Sequence, residues 1–296
     1  MAVPTESQLN AATLTPARHP LDPLTPKEIA EAAAILKTQR DLGARVRFET
    51  IVLQEPAKET VLNFRTGDPI QREAFIVILD NDAGATYEAV ISLDQGKVTS
   101  WKHIPGVQPR IMFDEFGDCE AAVKANPEFQ AAIKKRGITN SDLVMVDPWS
   151  AGNYGFEEEE GRRLVLARSF LRSSPTDNGY ARPIEGVTAV VDLNSMEVVR
   201  VDDFGVVPIP PNPGNYASEF VGEFRKDLKP LEIAQPEGTS IQVDGYGVIW
   251  QKWHLRIGFT PREGLVIHNT GYEDQGRVRP IVYRASLSDM VVPYGD

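Results

Sequence analysis

One cysteine, four histidines and a shortage of basic residues set the first limits on this 296-residue chain. Cys119 has no second cysteine to pair with, so an internal disulfide is excluded and a reducing compartment is expected. No stretch reaches the roughly 18 consecutive apolar residues of a membrane-spanning helix. Met1 to Gln8 carries neither the basic region nor the apolar core of a secretory leader. These absences predict a cytoplasmic protein with no membrane partner. Lys and Arg number 31 against 42 Asp and Glu, a formal net charge of −11. That balance argues against nucleic acid as a partner, because phosphate binding needs clustered cations. The histidines, His19, His103, His254 and His268, include no His-x-His and no pair at helical ligand spacing.

What is present is an ordinary globular composition, with room for two domains or two and part of a third. Residues 1–18 are polar, lack an apolar period and read as a flexible tail. Thr25-Pro-Lys-Glu28 is a capping box with proline at the first helical position, and Ile29, Ala33 and Leu36 follow at helical spacing. Val46 to Val52, Phe75 to Leu79, Tyr87 to Leu93 and Val98 to Ile104 then read as strands. Asp80-Asn-Asp-Ala-Gly84 is better explained as a hairpin turn than as a calcium loop, since the closing glutamate is missing. The pattern repeats: helices over Phe113–Ala125 and Pro127–Arg136, capped by Asn126, precede strands at Leu143–Asp147, Arg163–Arg172, Ala189–Asn194 and Glu197–Val201. Ala89 to Asp94 and Ala189 to Asn194 match in character, which suggests a duplicated domain.

After Phe204 the texture changes. Val207 to Gly214 is too rich in proline for helix or central strand, and no helix of any length is expected beyond about residue 230. Val248 to Phe259 reads as one long strand, with Trp250 and Trp253 on opposite faces; Gly264–Asn269 and Ile281–Ser286 add two more. The expected class is α+β: two cystatin-like helix-plus-antiparallel-sheet domains followed by an incomplete all-β sandwich. The expected divisions are a tail over 1–18, domains over 19–105 and 106–215, a linker over 216–240, and the truncated start of the β-sandwich domain over 241–296.

The last residues, Arg279 to Gly295, closely resemble the approach to the catalytic domain of the copper- and topaquinone-dependent amine oxidases. Further markers are His19-Pro-Leu-Asp-Pro-Leu24, Asp147-Pro-Trp149 with Gly152, Gly214-Asn-Tyr216, Gln235-Pro-Glu-Gly238 and Arg262-Glu-Gly264. The resemblance runs from about His19 to the end. It implies oxidative deamination of primary amines by O2 to aldehyde, ammonia and hydrogen peroxide, with copper and topaquinone as cofactors and a homodimer as the family's assembly. It also implies that Tyr294 positions the quinone, and that Phe116, Trp149 and Tyr180 line the substrate channel, where aromatic walls suit an ammonium group.

The quinone tyrosine of such enzymes sits in Asn-Tyr-Asp/Glu. Here Asn153-Tyr154 runs into Gly155 and Asn215-Tyr216 into Ala217. The base aspartate of the family falls beyond Asp296, which itself matches a variable position. No metal ligands are expected in this chain, no cofactor is expected bound to it, and on its own it is expected to be inactive. The alternatives are a non-catalytic subunit completed by a complementary chain, or a free-standing two-domain binding module.

Overall fold

The computed structural model describes residues 18–152 and 154–293. Its first unit opens on helix α1 (Pro26–Gln39). The Thr25 hydroxyl accepts from the Glu28 amide at 3.2 Å, and the Glu28 carboxylate accepts from the Thr25 amide at 2.7 Å. This reciprocal cap satisfies two amides that the first turn would otherwise leave free. Ala32 and Leu36, one turn apart, point inward. They meet a four-stranded antiparallel meander, β1 (Val46–Leu53), β2 (Glu73–Asp80), β3 (Ala85–Ser92) and β4 (Lys97–Ile104), in the order 1-2-3-4. Ala74, Ile76 and Ile78 alternate along β2 and join Ala89 and Ile91 of β3 in the core under α1. A short helix, α2 (Lys58–Asn63), interrupts the β1–β2 connection.

The second unit repeats this plan. Helices α3 (Phe113–Ala125) and α4 (Pro127–Lys135) meet at Asn126, which ends one and caps the next by accepting from the Phe129 amide at 3.0 Å. Strands β5 (Val144–Ser150), β6 (Leu164–Leu171), β7 (Val187–Asp192) and β8 (Glu197–Asp203) form a second meander in the order 5-6-7-8. Cys119, Val123, Phe129 and Ile133 pack on Val144, Val165, Ala189 and Val191. Burial pushes the Cys119 thiol up to about 12, as expected of a cysteine that serves as a core residue.

The likeness of the two units extends to details that composition does not reach. Each meander has a bulge at the equivalent place, between Val90 and Ile91 and between Val190 and Val191. Each final hairpin turns through a left-handed residue, Gly96 at φ 60° and Met196 at φ 58°. Each unit also buries one arginine against the glutamate at the third position of its helix. Arg72 donates to Glu28 at 2.7 Å, and Arg163 donates to Glu115 at 2.8 Å. Met112 has no side-chain acceptor, so at α3 only the reverse half of the cap forms, from the Met112 amide to Glu115 at 2.7 Å.

The linker carries one helical turn, α5 (Ser218–Val221), and leads to a third sheet. Strands β9 (Ile241–Asp244), β10 (Gly247–Trp250), β11 (Trp253–Thr260), β12 (Gly264–Asp274) and β13 (Arg277–Ser286) form an antiparallel meander. The single strand expected over Val248–Phe259 is two strands. Gln251, at φ 56°, and Lys252 make a tight hairpin, and Trp250 and Trp253 are direct cross-strand partners rather than opposite faces of one strand. An apolar run of that length reads as continuous because neither turn residue is glycine or proline. The sheet is a partial sandwich: Val243, Trp250, Phe259 and Val278 are exposed, whereas Val266 and His268 are buried.

Ion pairs fasten this sheet to the first unit. Arg256 donates to Asp22 at 2.7 Å, His268 lies 3.1 Å from Glu55, and Arg284 reaches Glu55 at 3.0 Å; within the third sheet itself Arg284 also donates to Glu263 at 2.7 Å. Hydrogen bonds from Arg284 and Ser286 hold the Glu263 carboxyl down at about 2. Burial raises Glu55, but the hydrogen bonds from His268 and Arg284 outweigh it and the net direction is down. A depressed carboxyl contributes stability above its unfolded value, and that contribution disappears as pH falls toward the folded one. His19, beside Arg256, is lowered to about 4, mainly by burial; an unfolded histidine protonates near 6.5, so this neutral ring costs stability as pH falls from there to about 4. Acidification below about pH 6.5, first through His19 and then below about 4.5 through Glu55, should therefore loosen β12 and β13 from the first unit. Hydrogen exchange, corrected for intrinsic rates, should show faster exchange in those strands than in β2 or β7; equal acceleration everywhere would contradict this.

Candidate functional site

Successive residues of a strand point to opposite faces, so Asp147 and Trp149 share the face of β5 that Val144 and Val146 do not. β5 is an edge strand, which leaves this end of the sheet open. The Trp149 indole donates to Asp147 Oδ2 at 3.1 Å, and the Tyr180 hydroxyl donates to the same oxygen at 3.2 Å. Both rings remain more than half exposed, at 54% and 59%. Loss of solvent, and then the Asp147 charge, raise the Tyr180 phenol, so it stays a donor at neutral pH. Tyr180 also sets its edge against Phe170 at 5.0 Å, and Phe170 is the cross-strand neighbour of Met145.

The turn that carries Tyr180 (Gly179–Ala181) is fixed from two sides. Asp177 accepts from the Ser173 amide at 2.7 Å and from its hydroxyl, and also from the Asn178 amide at 2.9 Å. These bonds, the Ser173 hydroxyl first, hold its carboxyl at about 2. From the segment after β8, Asn215 accepts from the Asn178 amide at 2.8 Å, and Pro210 accepts from Arg182 at 3.0 Å. Gly214 sits at φ 63°, and a Cβ there would fall 2.7 Å from the Ala181 Cβ. Glycine is needed for both reasons.

Of the residues expected to line a channel, the fold brings Trp149 and Tyr180 together around Asp147. Phe116 stacks on Phe113 at 6.5 Å, on the helix layer, and touches neither ring. Tyr294 and Asp296 lie outside the described residues. Asp147, which joins the two rings, was not singled out as a site residue from the sequence, although the Asp-x-Trp spacing on a strand was the available signal. Asp177 gave no signal: its partners Ser173 and Asn178 are close in sequence but form no motif, and Asn215 approaches from a distant segment.

The histidines do not build a copper site. His103 lies against Tyr87 at 5.2 Å, His254 is 3.4 Å from Glu273, His268 engages Glu55, and the His19 ring accepts from the Leu21 amide at 3.1 Å. Among the described residues no three His, Cys, Asp or Glu side chains converge on a point that could hold a metal ion. No helix among those residues is long and apolar enough to cross a membrane.

Comparison with known proteins agrees with this architecture segment by segment. Residues 19–104 match the profile of the copper amine oxidase N2 domain, 114–220 that of the N3 domain, and 242–296 that of the enzyme domain. The primary amine oxidase of Arthrobacter sp. (strain P1) is 49% identical over 279 residues, covering 94% of this chain and 42% of that protein. The histamine oxidase of Arthrobacter globiformis is 38% identical, over 95% of this chain and 41% of its own. Among solved structures, a copper-containing benzylamine oxidase from Hansenula polymorpha superposes with a TM-score of 0.76 at 27% identity, over 94% of this chain and 46% of that one. The chain spans about two-fifths of the length of the curated relatives it matches. Its three successive sheet units therefore belong to the copper amine oxidase family, of which they carry the N2 domain, the N3 domain and the opening strands of the enzyme domain.

Proposed function

We propose that this chain supplies the scaffold and part of the amine-approach surface of a primary-amine oxidase, and that alone it does not oxidise amines. The supporting observation is the Asp147 carboxylate with the exposed faces of Trp149 and Tyr180 around it. A carboxylate flanked by aromatic rings suits an ammonium ion, which gains both an opposite charge and a π face. The carboxylate also fixes both rings, so the approach surface is ordered before an amine arrives. Tyr294 is assigned to quinone positioning and Phe116 to the substrate channel, on the resemblance of the sequence around them to the family. Copper and topaquinone would supply the redox chemistry in a full-length enzyme; the side chains here do not fit the metal, and no step of oxidation is assigned to them.

The exposed apolar face of the third sheet favours completion by further chain, in the same polypeptide or a complementary one, over a free-standing module. A monomer seldom leaves so much contiguous apolar surface in water. One titration tests the proposal. Benzylammonium added to the purified chain should shift the Trp149 indole N–H resonance saturably, an effect lost in Asp147→Asn, while peroxide release and quinone redox staining stay at background. Peroxide formation above blank would refute the inactivity, and an indole unmoved by amine would refute the approach surface.

A further inference from the structure

A cleft of about 870 Å³ lies between the helix-free face of the first sheet and the β11–β12 hairpin of the third. Its floor is two cross-strand rows: Val52 beside Phe75, and Thr50 beside Val77 and Glu88. The bulge at Glu49 turns that carboxylate toward the same face, where Arg110 pairs with it. Arg110 also donates to the Pro261 carbonyl at 2.7 Å, bracing the two walls.

Five carboxylates and three guanidinium groups line this space, a formal balance of −2. All three guanidiniums are engaged. Arg110 has Glu49, Arg284 has Glu55 and Glu263, and Arg262 reaches Asp289 at 3.2 Å and the Ser288 carbonyl at 2.6 Å. The carboxylate without an ion-pair partner is Glu88. It is half-buried on the floor, and its cross-strand neighbour Lys102 does not come within ion-pair distance. A half-buried charge beside Val77 and Phe75 lacks compensation that a ligand could provide.

We propose that this cleft binds a small organic cation with an apolar body, its ammonium group on Glu88 and its hydrocarbon or ring on Val52, Phe75 and Val77. The volume falls within the range of small-molecule sites, and the lining combines apolar walls with one placed charge. The inference is independent of the Asp147 site, since neither Asp147, Trp149 nor Tyr180 lines the cleft.

The test is a titration of the full 296-residue chain with benzylammonium chloride, followed by backbone amide shifts of Phe75, Val77 and Glu88. Saturable movement with Kd of about 0.1–1 mM is expected for a ligand of this size. Benzyl alcohol, which has the body without the charge, and ammonium chloride, which has the charge without the body, should each bind about tenfold more weakly or worse. Glu88→Gln should weaken benzylammonium binding to the same extent, while Asp147→Asn leaves these three amides responding as before. Absence of saturable shifts there, benzyl alcohol binding as tightly as the amine, or undiminished affinity in Glu88→Gln would each overturn the proposal. The comparison of the two benzyl compounds uses the unmodified chain, so it decides the matter even if the variant misfolds. Because the indole of Trp149 and the floor amides are separate resonances, loss of one response is not confused with loss of the other.

Discussion

Replacing Arg163 by alanine should destabilise the second unit by about 3–5 kcal/mol, the usual consequence of stranding one member of a buried ion pair. Glu115 is fully buried, and Arg163 is 6% exposed. Burial pushes the Glu115 carboxyl up and the Arg163 guanidinium down, both toward their neutral forms, so desolvation outweighs the attraction between them. Two atoms of the pair, Glu115 Oε1 and Arg163 Nε, also lack hydrogen-bond partners among the described residues. The same reasoning gives a contrast. The double variant Glu115→Leu with Arg163→Met should lose far less than Arg163→Ala, because it removes both charges together. What it still forfeits is the bond from the Met112 amide to Glu115, a helix-cap contribution of about 0.5–2 kcal/mol, and the bond from Arg163 to the Arg110 carbonyl at 2.7 Å, which Arg163→Ala loses as well. Urea titration of the three proteins checks the order. If the double variant were as unstable as the single one, the pair would be contributing net stability and the desolvation argument would fail.

Phe129→Ala should cost about 3–5 kcal/mol and Leu36→Ala about 2–5 kcal/mol, each by opening a cavity at a site with no exposed surface. The two residues belong to different cores that share no side chain. Each substitution should therefore lower the unfolding transition of its own unit and leave the other nearly unmoved, as additivity requires of distant sites. Phe113→Ala is the control. That ring is 93% exposed, and its removal should change stability by no more than about 0.5 kcal/mol. The readout is residue-resolved hydrogen exchange across denaturant, which separates the units where one optical signal would merge them.

The features of the fold that were legible in the sequence are those encoded within a few residues. Thr25 and Glu28 announced α1, Asn126-Pro127 announced the break between α3 and α4, and Gly84 in a left-handed conformation (φ 59°) closes the hairpin expected at Asp80–Gly84. The one-turn-and-a-half α2 was not visible, since Ala57 offers no capping side chain and six residues carry too little period. Gln251-Lys252 was missed because its left-handed glutamine is a conformation that sequence seldom advertises. The candidate site divides the same way. Trp149 and Tyr180 were recognisable as residues, but the carboxylate joining them, 33 positions from Tyr180, was not. The Glu55–Arg284 contact spans 229 positions, and no local pattern foretells it.

Chain order turns the Arg–Glu pairs into a statement about assembly. Each closes a loop of moderate length, 44 positions for Arg72 to Glu28 and 48 for Arg163 to Glu115, wholly inside its own unit. The first meander is therefore complete once residue 104 has emerged from the ribosome, and it can fold before the second has been synthesised. Asp22 and Glu55 are then already in place, long before Arg256, His268 and Arg284 exist to meet them. The third sheet is consequently laid down on a finished acidic template. In this protein, the last strands are guided by surfaces that the first strands prepared.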